Sequence, residues 1–264
     1  MSRFIILFIC SIIGLTSGIF LFGEVYKWEI INGDSLDALN DTPWTVYNDS
    51  RNVKIRKDIE ENQKPETSKF KDSKQVQFFK LTEGWLVYEN KGEFGAWVRW
   101  YDDQFEEYTH LSDKHVRNIQ VIGSTIYVYG GLSHLSGSSG FIYELVNQNG
   151  KWELTNGRFF RKPILRIGEI PSVLGPGLIV LSENTIFRMF PTQLYPIYGL
   201  EGFRMDGRAV WSKYSVNSIA MDYMQNFYIG TEKGIIRVIK EHGSYEEHWV
   251  FPSNLIDNPS KSEN

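Results

Sequence analysis

Beyond Cys10 the chain contains no cysteine, which removes disulfides, thiolate metal sites and thiol nucleophiles from everything downstream. Stability must then come from packing. Basic residues are not in excess either: 28 Lys and Arg stand against 32 Asp and Glu, a net charge of -4. A nucleic-acid ligand needs a basic face to neutralise its phosphates, so neither DNA nor RNA is an expected partner. Metal signatures are missing, with no His-Glu-x-x-His, no paired cysteines and no regular Asp-x-Asp-x-Asp loop. There is no Gly-x-Ser-x-Gly elbow, phosphate loop or dinucleotide fingerprint, and no cofactor is expected. After the first two dozen residues no amphipathic helical stretch is found.

The one long hydrophobic run comes first. FIILFICSIIGLTSGIFLF, Phe4 to Phe22, follows Arg3 and meets no charge before Glu24. Residues 1–23 therefore read as a signal sequence or a membrane anchor. At roughly 19 residues the run exceeds the apolar core of a cleaved signal and just reaches the length of a bilayer-spanning helix, which favours retention. Thr16-Ser17-Gly18 offer small residues to a signal peptidase, so cleavage stays open. Cys10 invites lipid modification, but Ile9 precedes it where a small residue is wanted. With Arg3 on the short side, the rest of the chain is expected across the membrane, at the cell envelope, either anchored or secreted.

Residues 49–75 are dense in both signs of charge and broken by Pro65, and read as an exposed polar loop in which Val53 and Ile55 form an edge strand. Residues 257–264 read as a disordered tail. The remainder is rich in aromatics, 15% of the whole chain, and alternates short β-branched or aromatic runs with Gly and Asn turns. Gly84-Trp85-Leu86-Val87-Tyr88, Thr125-Ile126-Tyr127-Val128-Tyr129, Leu178-Ile179-Val180-Leu181 and Asn226-Phe227-Tyr228-Ile229 are apolar for several residues, as strands buried on both faces are. Two segments repeat: VRNIQVIGSTIYVYGG with GFIYELVNQNGKW, Val116 to Trp152, and VNSIAMDYMQNFYIGT with GIIRVIKEHGSYEEHW, Val216 to Trp249. Degenerate copies run from Val76 to Trp100 and from Ser172 to Met189. Their starts, about 40 to 55 residues apart, have the period of a four-stranded propeller blade.

VNSIAMDYMQNFYIGTEKGIIRV resembles the blade repeat of two-component-regulator propellers, matching it at Val216, Ser218, Ile219, Asp222, Phe227, Ile229, Gly230, Thr231 and Gly234. The resemblance is confined to residues 216–238, and implies a propeller rather than a signalling role. With strand character at Tyr26 to Ile31 and Trp44 to Tyr47, the expectation for 24–256 is an all-β propeller of about five to six blades. It follows one N-terminal hydrophobic helix and closes by pairing its first and last strands. A β-sandwich with long loops is the alternative.

Three groups of residues are candidates for a binding site. Trp97, Arg99 and Tyr101 alternate onto one strand face, where they suit stacking on a sugar or gripping a carboxylate; a buried aromatic ladder is the simpler account. Ser133 and His134 sit in a Gly/Ser-rich hairpin, whose simpler account is a solvated turn. Arg166, with Arg158 and Arg161, suits an anion-binding rim. The histidines His110, His115, His242 and His248 read as solvated turn residues. In YDDQFEEY the neighbouring carboxylates of Asp102, Asp103, Glu106 and Glu107 point to opposite sides of a strand, which suits an outer hairpin better than a glycosidase pair. The expected function is non-catalytic binding of a protein, peptide or glycan at the envelope. The alternatives are a propeller hydrolase or lyase and an envelope-held inhibitor or immunity protein.

Overall fold

The computed structural model describes residues 28–31, 43–49, 52–56, 65, 67, 69–70, 75–134, 137–171, 174–191, 193–198, 209–241 and 244–252. The hydrophobic run at 4–22 and the polar tail at 257–264 lie outside them. Among the described residues no helix is long and apolar enough to cross a membrane.

The described chain is all-β and propeller-like. Its strands are β1 (Trp28–Ile31), β2 (Thr45–Asp49), β3 (Asn52–Arg56), β4 (Val76–Lys80), β5 (Trp85–Asn90), β6 (Ala96–Tyr101), β7 (Tyr108–Ser112), β8 (Val116–Ile122), β9 (Thr125–His134) and β10 (Gly137–Gln148). They continue with β11 (Lys151–Phe160), β12 (Ile164–Glu169), β13 (Leu178–Ser182), β14 (Ile186–Met189), β15 (Leu194–Tyr198), β16 (Val216–Met221), β17 (Phe227–Thr231), β18 (Ile235–Glu241) and β19 (Ser244–Pro252). Each run of four, β4–β7, β8–β11, β12–β15 and β16–β19, is an antiparallel meander, and β2–β3 form a two-stranded sheet. β1 adds to the last meander by pairing with β19, Trp28 opposite Pro252, so strands from the two ends of the chain share one sheet.

Alternation along the second strand of each meander explains why its central run is apolar. Leu86 and Tyr88 pack toward the β8–β11 sheet while Val87 faces the other way, and all three are buried. Leu178 and Val180 likewise join Tyr129, Ile142 and Phe160, whereas Ile179 and Leu181 join Val216, Ile219 and Phe227. A period of two with both faces covered leaves no solvent side for polar residues. Each pair of successive four-stranded sheets thus encloses its own apolar layer. The two-stranded sheet contributes Trp44, Val46, Val53 and Ile55 to a layer with Ala220, Tyr228, Ile235 and Val250. Within the charged stretch, then, Val53 and Ile55 are core residues, and Phe70 packs edge-on to Phe78 and Tyr101.

The repeat beginning at Ser172 needs correction: the meander it belongs to opens at Ile164 with β12, whose ILRIGE is matched to VRNIQV and VNSIAM by position. Close backbone approach joins the sheets. A Cβ on Gly230 would lie 2.3 Å from the Trp44 carbonyl oxygen and 2.5 Å from Ser218 Oγ, so glycine is the residue that lets β2 dock there.

Candidate functional site

The first strands β2, β4, β8, β12 and β16 converge on one cavity of about 1370 Å³. β12 packs against β8 and β16, and β16 against β2. Three of these strands begin with the same device. The register shifts between Val116 and Asn118, between Ile164 and Arg166, and between Val216 and Ser218. Buried aliphatics, Val116 and Ile119, Ile164 and Ile167, Val216 and Ile219, bracket two residues inside each bulge. A bulge sets two residues against one partner and re-aims their side chains. Arg117, Asn118, Arg166, Asn217 and Ser218 accordingly line the cavity, while Leu165 packs into an apolar layer.

Polar side chains from these positions tie neighbouring first strands together. Arg166 Nε donates to the Asn217 carbonyl at 2.8 Å and its Nη1 to the Leu165 carbonyl at 2.7 Å. The Val46 amide donates to Ser218 Oγ at 2.8 Å. Asn48 acts as a surrogate peptide, giving Nδ2 to the Met221 carbonyl at 2.7 Å and accepting the Met221 amide at 3.3 Å. Asn90 Nδ2 donates to the Val116 carbonyl at 3.2 Å. The cavity wall carries seven amides, Asn48, Gln75, Gln77, Asn90, Asn118, Gln120 and Asn217. Asn217 Nδ2 is buried without a partner.

Charge of both signs reaches the cavity. Lys80, Arg117, Arg166, Glu169 and Glu183 line it; Lys80 Nζ pairs with Asp103 outside the lining, which leaves two arginines with two glutamates. Arg117 is open to the cavity yet walled by protein. Burial and then the repulsion of Arg166 hold its pKa below the usual arginine value, against the pull of Glu183 and Tyr129. Among the described residues no hydrogen bond or ion pair holds its guanidinium. Tyr129 is fully buried, accepts from Asn118 Nδ2 and donates to Gln120 Oε1, each at 3.3 Å. Burial raises its pKa against the opposing pull of Arg166. Tyr88 is also raised, by burial and then by Tyr129.

Of the residues singled out from sequence, Arg166 and Ser133 line the cavity. His134 follows Ser133 and is exposed, with Nε2 3.0 Å from Glu93 Oε1. Trp97, Arg99 and Tyr101 do share a face, but not with the cavity. Arg99 is sandwiched between Trp97, 4.6 Å from its ring centroid, and Tyr108, at 4.9 Å. Tyr101 is buried against Phe70 and Phe105. Of the six candidates, two therefore line the cavity, His134 pairs beside it with Glu93, and three lie on β6. Neither Arg158 nor Arg161 lines the cavity; Arg158 Nη2 donates to the Pro191 carbonyl.

His110 and His248 lie on β7 and β19 rather than in turns, beside Asp113 and Glu246 respectively. His115 is half-buried against Asn90, and burial lowers its pKa. His242 is outside the described residues. Asp102 Oδ1 accepts the Glu106 amide and Asp103 pairs with Lys80, so the acidic run closes the turn between β6 and β7. Among the described residues no group of three or more His, Cys, Asp or Glu is placed to hold a metal ion.

Sequence reasoning missed Arg117, Asn118, Gln120, Asn48 and Asn217. The signal was the aligned openings VRNI and VNSI, where polar residues sit between two aliphatics that must be buried. No protein-family model and no curated protein sequence matches the chain.

Proposed function

We propose that the chain is a five-bladed β-propeller that binds a polar ligand, a peptide or a glycan, in its central cavity without catalysis. Blade assignment follows the five sheets, with β2–β3 as the smallest blade and β1 extending the last. The observation that carries the binding reading is the cavity itself, about 1370 Å³ and lined by seven amides and two arginines. Its volume exceeds the usual range for a site that takes one drug-sized molecule. Amides both donate and accept, which suits hydroxyl- or peptide-bearing chains. The reading extends to location: residues 4–22 deliver the propeller to the cell envelope and hold it there, where extraction of membranes with alkaline carbonate should leave the protein in the pellet. Release of a shortened soluble species instead would show a cleaved signal.

The decisive experiment screens full-length detergent-solubilised protein against glycan and peptide arrays, then repeats the hits with Gln77→Trp. Gln77 is exposed to the cavity, and an indole there occupies the ligand's space. Loss of the hits supports the reading. Unchanged binding, or turnover of the bound compound, defeats it.

A further inference from the structure

We infer that Arg117 and Arg166 form an oxyanion subsite inside the cavity, so that the ligand carries a carboxylate or a phosphate group. This rests on the cavity being the binding site and names the chemistry of one part of its ligand.

The argument begins with position. Both arginines sit in the repeated bulge of adjacent first strands, β8 and β12, which pack against each other. Two like charges are thereby placed in one open cavity, and arginine does not escape by losing its proton. The two are held differently. Arg166 is fixed by donating Nε and Nη1 to the Asn217 and Leu165 carbonyls, which pre-sets the direction of the rest of its guanidinium. Arg117 is open to the cavity and makes no hydrogen bond or ion pair among the described residues.

Glu183 attracts Arg117, yet no ion pair joins them. A structural role for Arg117 would show as a partner, as it does for Arg166. What its placement offers instead is donors and positive charge directed into a protein-walled space, where charge-assisted bonds to an oxyanion are strongest.

The test follows the Arg117 and Arg166 Nε resonances by NMR while wild-type protein is titrated with inorganic phosphate and, separately, with succinate. Sodium chloride is exchanged to keep ionic strength constant. Saturable shifts at Arg117 are expected, and the tighter of the two probes tells phosphate from carboxylate. Arg117→Gln should weaken binding about tenfold or more, and Arg117→Lys, which keeps the charge, should weaken it less. Arg158→Gln, outside the cavity, should leave it unchanged.

Absence of saturation with both probes overturns the inference, as does equal affinity in Arg117→Gln or a loss in Arg158→Gln. The two readings fail separately. If array hits vanish in Gln77→Trp but neither oxyanion binds, the cavity remains the site and the charge assignment falls. If Gln77→Trp changes nothing while phosphate still shifts Arg117, the array hits bind outside the cavity, and the peptide-or-glycan reading falls while the oxyanion subsite stands.

Discussion

Gly230→Ala tests whether the two-stranded sheet truly docks on the last meander. Gly230 adopts no positive φ, so alanine itself is tolerated by the backbone, and the lost freedom of the unfolded chain favours alanine by about 0.4–1 kcal/mol. The opposing effect is steric. A new Cβ would stand 2.3 Å from the Trp44 carbonyl oxygen and 2.5 Å from Ser218 Oγ, and the first of these is backbone that yields only if β2 moves. Overpacking of this kind costs about 1–3 kcal/mol. Moving β2 also stretches two bonds, Trp44 N to the Thr231 carbonyl at 2.9 Å and Val46 N to Ser218 Oγ at 2.8 Å, each worth about 1 kcal/mol. The net is a loss of about 2–4 kcal/mol, which for a domain of this size lowers Tm by roughly 5–15 °C. Gly137→Ala is the matched control, because nothing lies within 4 Å of its added Cβ. Thermal unfolding by circular dichroism, with hydrogen exchange at the Trp44 and Val46 amides, reads both effects. If Gly230→Ala melts with Gly137→Ala and its amides stay protected, the docking of β2 through this glycine is wrong.

Two further outcomes follow from the same contacts. Arg99→Ala removes stacking on Trp97 and Tyr108 and should destabilise the protein by about 1–2 kcal/mol in urea unfolding, leaving cavity binding unchanged; lost binding at unchanged stability would contradict it. Tyr88, Tyr129, Tyr198 and Tyr228 have pKa values raised chiefly by burial. The folded state thus prefers the neutral phenol, so their contribution is whole below the unfolded value of about 10 and is lost as pH rises beyond it. The urea midpoint should hold up to about pH 10 and fall above it, with part of the tyrosinate absorbance appearing only as the protein unfolds. A single titration step covering all 14 tyrosines, with the native circular dichroism intact, would refute this.

The strands were the most legible part of the sequence, and for a physical reason. A strand buried on both faces has no polar alternation to lose, so LIVL at Leu178–Leu181 and FYI at Phe227–Ile229 announce themselves by composition alone. β12 was harder to see. ILRIGE carries an arginine between Leu165 and Ile167 and closes on Gly168-Glu169, where Gly168 meets Ile219 across a sheet junction, so local propensity is weak and only the match to VRNIQV places it. β3 was read as an edge strand, but its burial was hidden by its neighbours: two buried residues, Val53 and Ile55, sit within a stretch whose average is charged. Composition over a window cannot register two core contacts, because burial is decided residue by residue.

The candidate site was legible only at Arg166 and Ser133, and this limits what alternation can predict. Trp97, Arg99 and Tyr101 share a face, as a period of two requires, but a sheet between two neighbours has no free face, and the neighbour here is Phe70 with Phe105. Sharing a face therefore does not distinguish a binding surface from a core. What distinguishes them is position across the sheet. Most of the cavity wall comes from the first strands, and in β8, β12 and β16 a bulge breaks the period, so Arg117 and Asn118, or Asn217 and Ser218, line it as adjacent residues. Adjacent polar residues bracketed by buried aliphatics, recurring at the start of successive repeats, are thus the pattern that marks such a cavity. In this chain that pattern picks out Arg117 beside Arg166, where the strictly alternating reading had passed over Arg117.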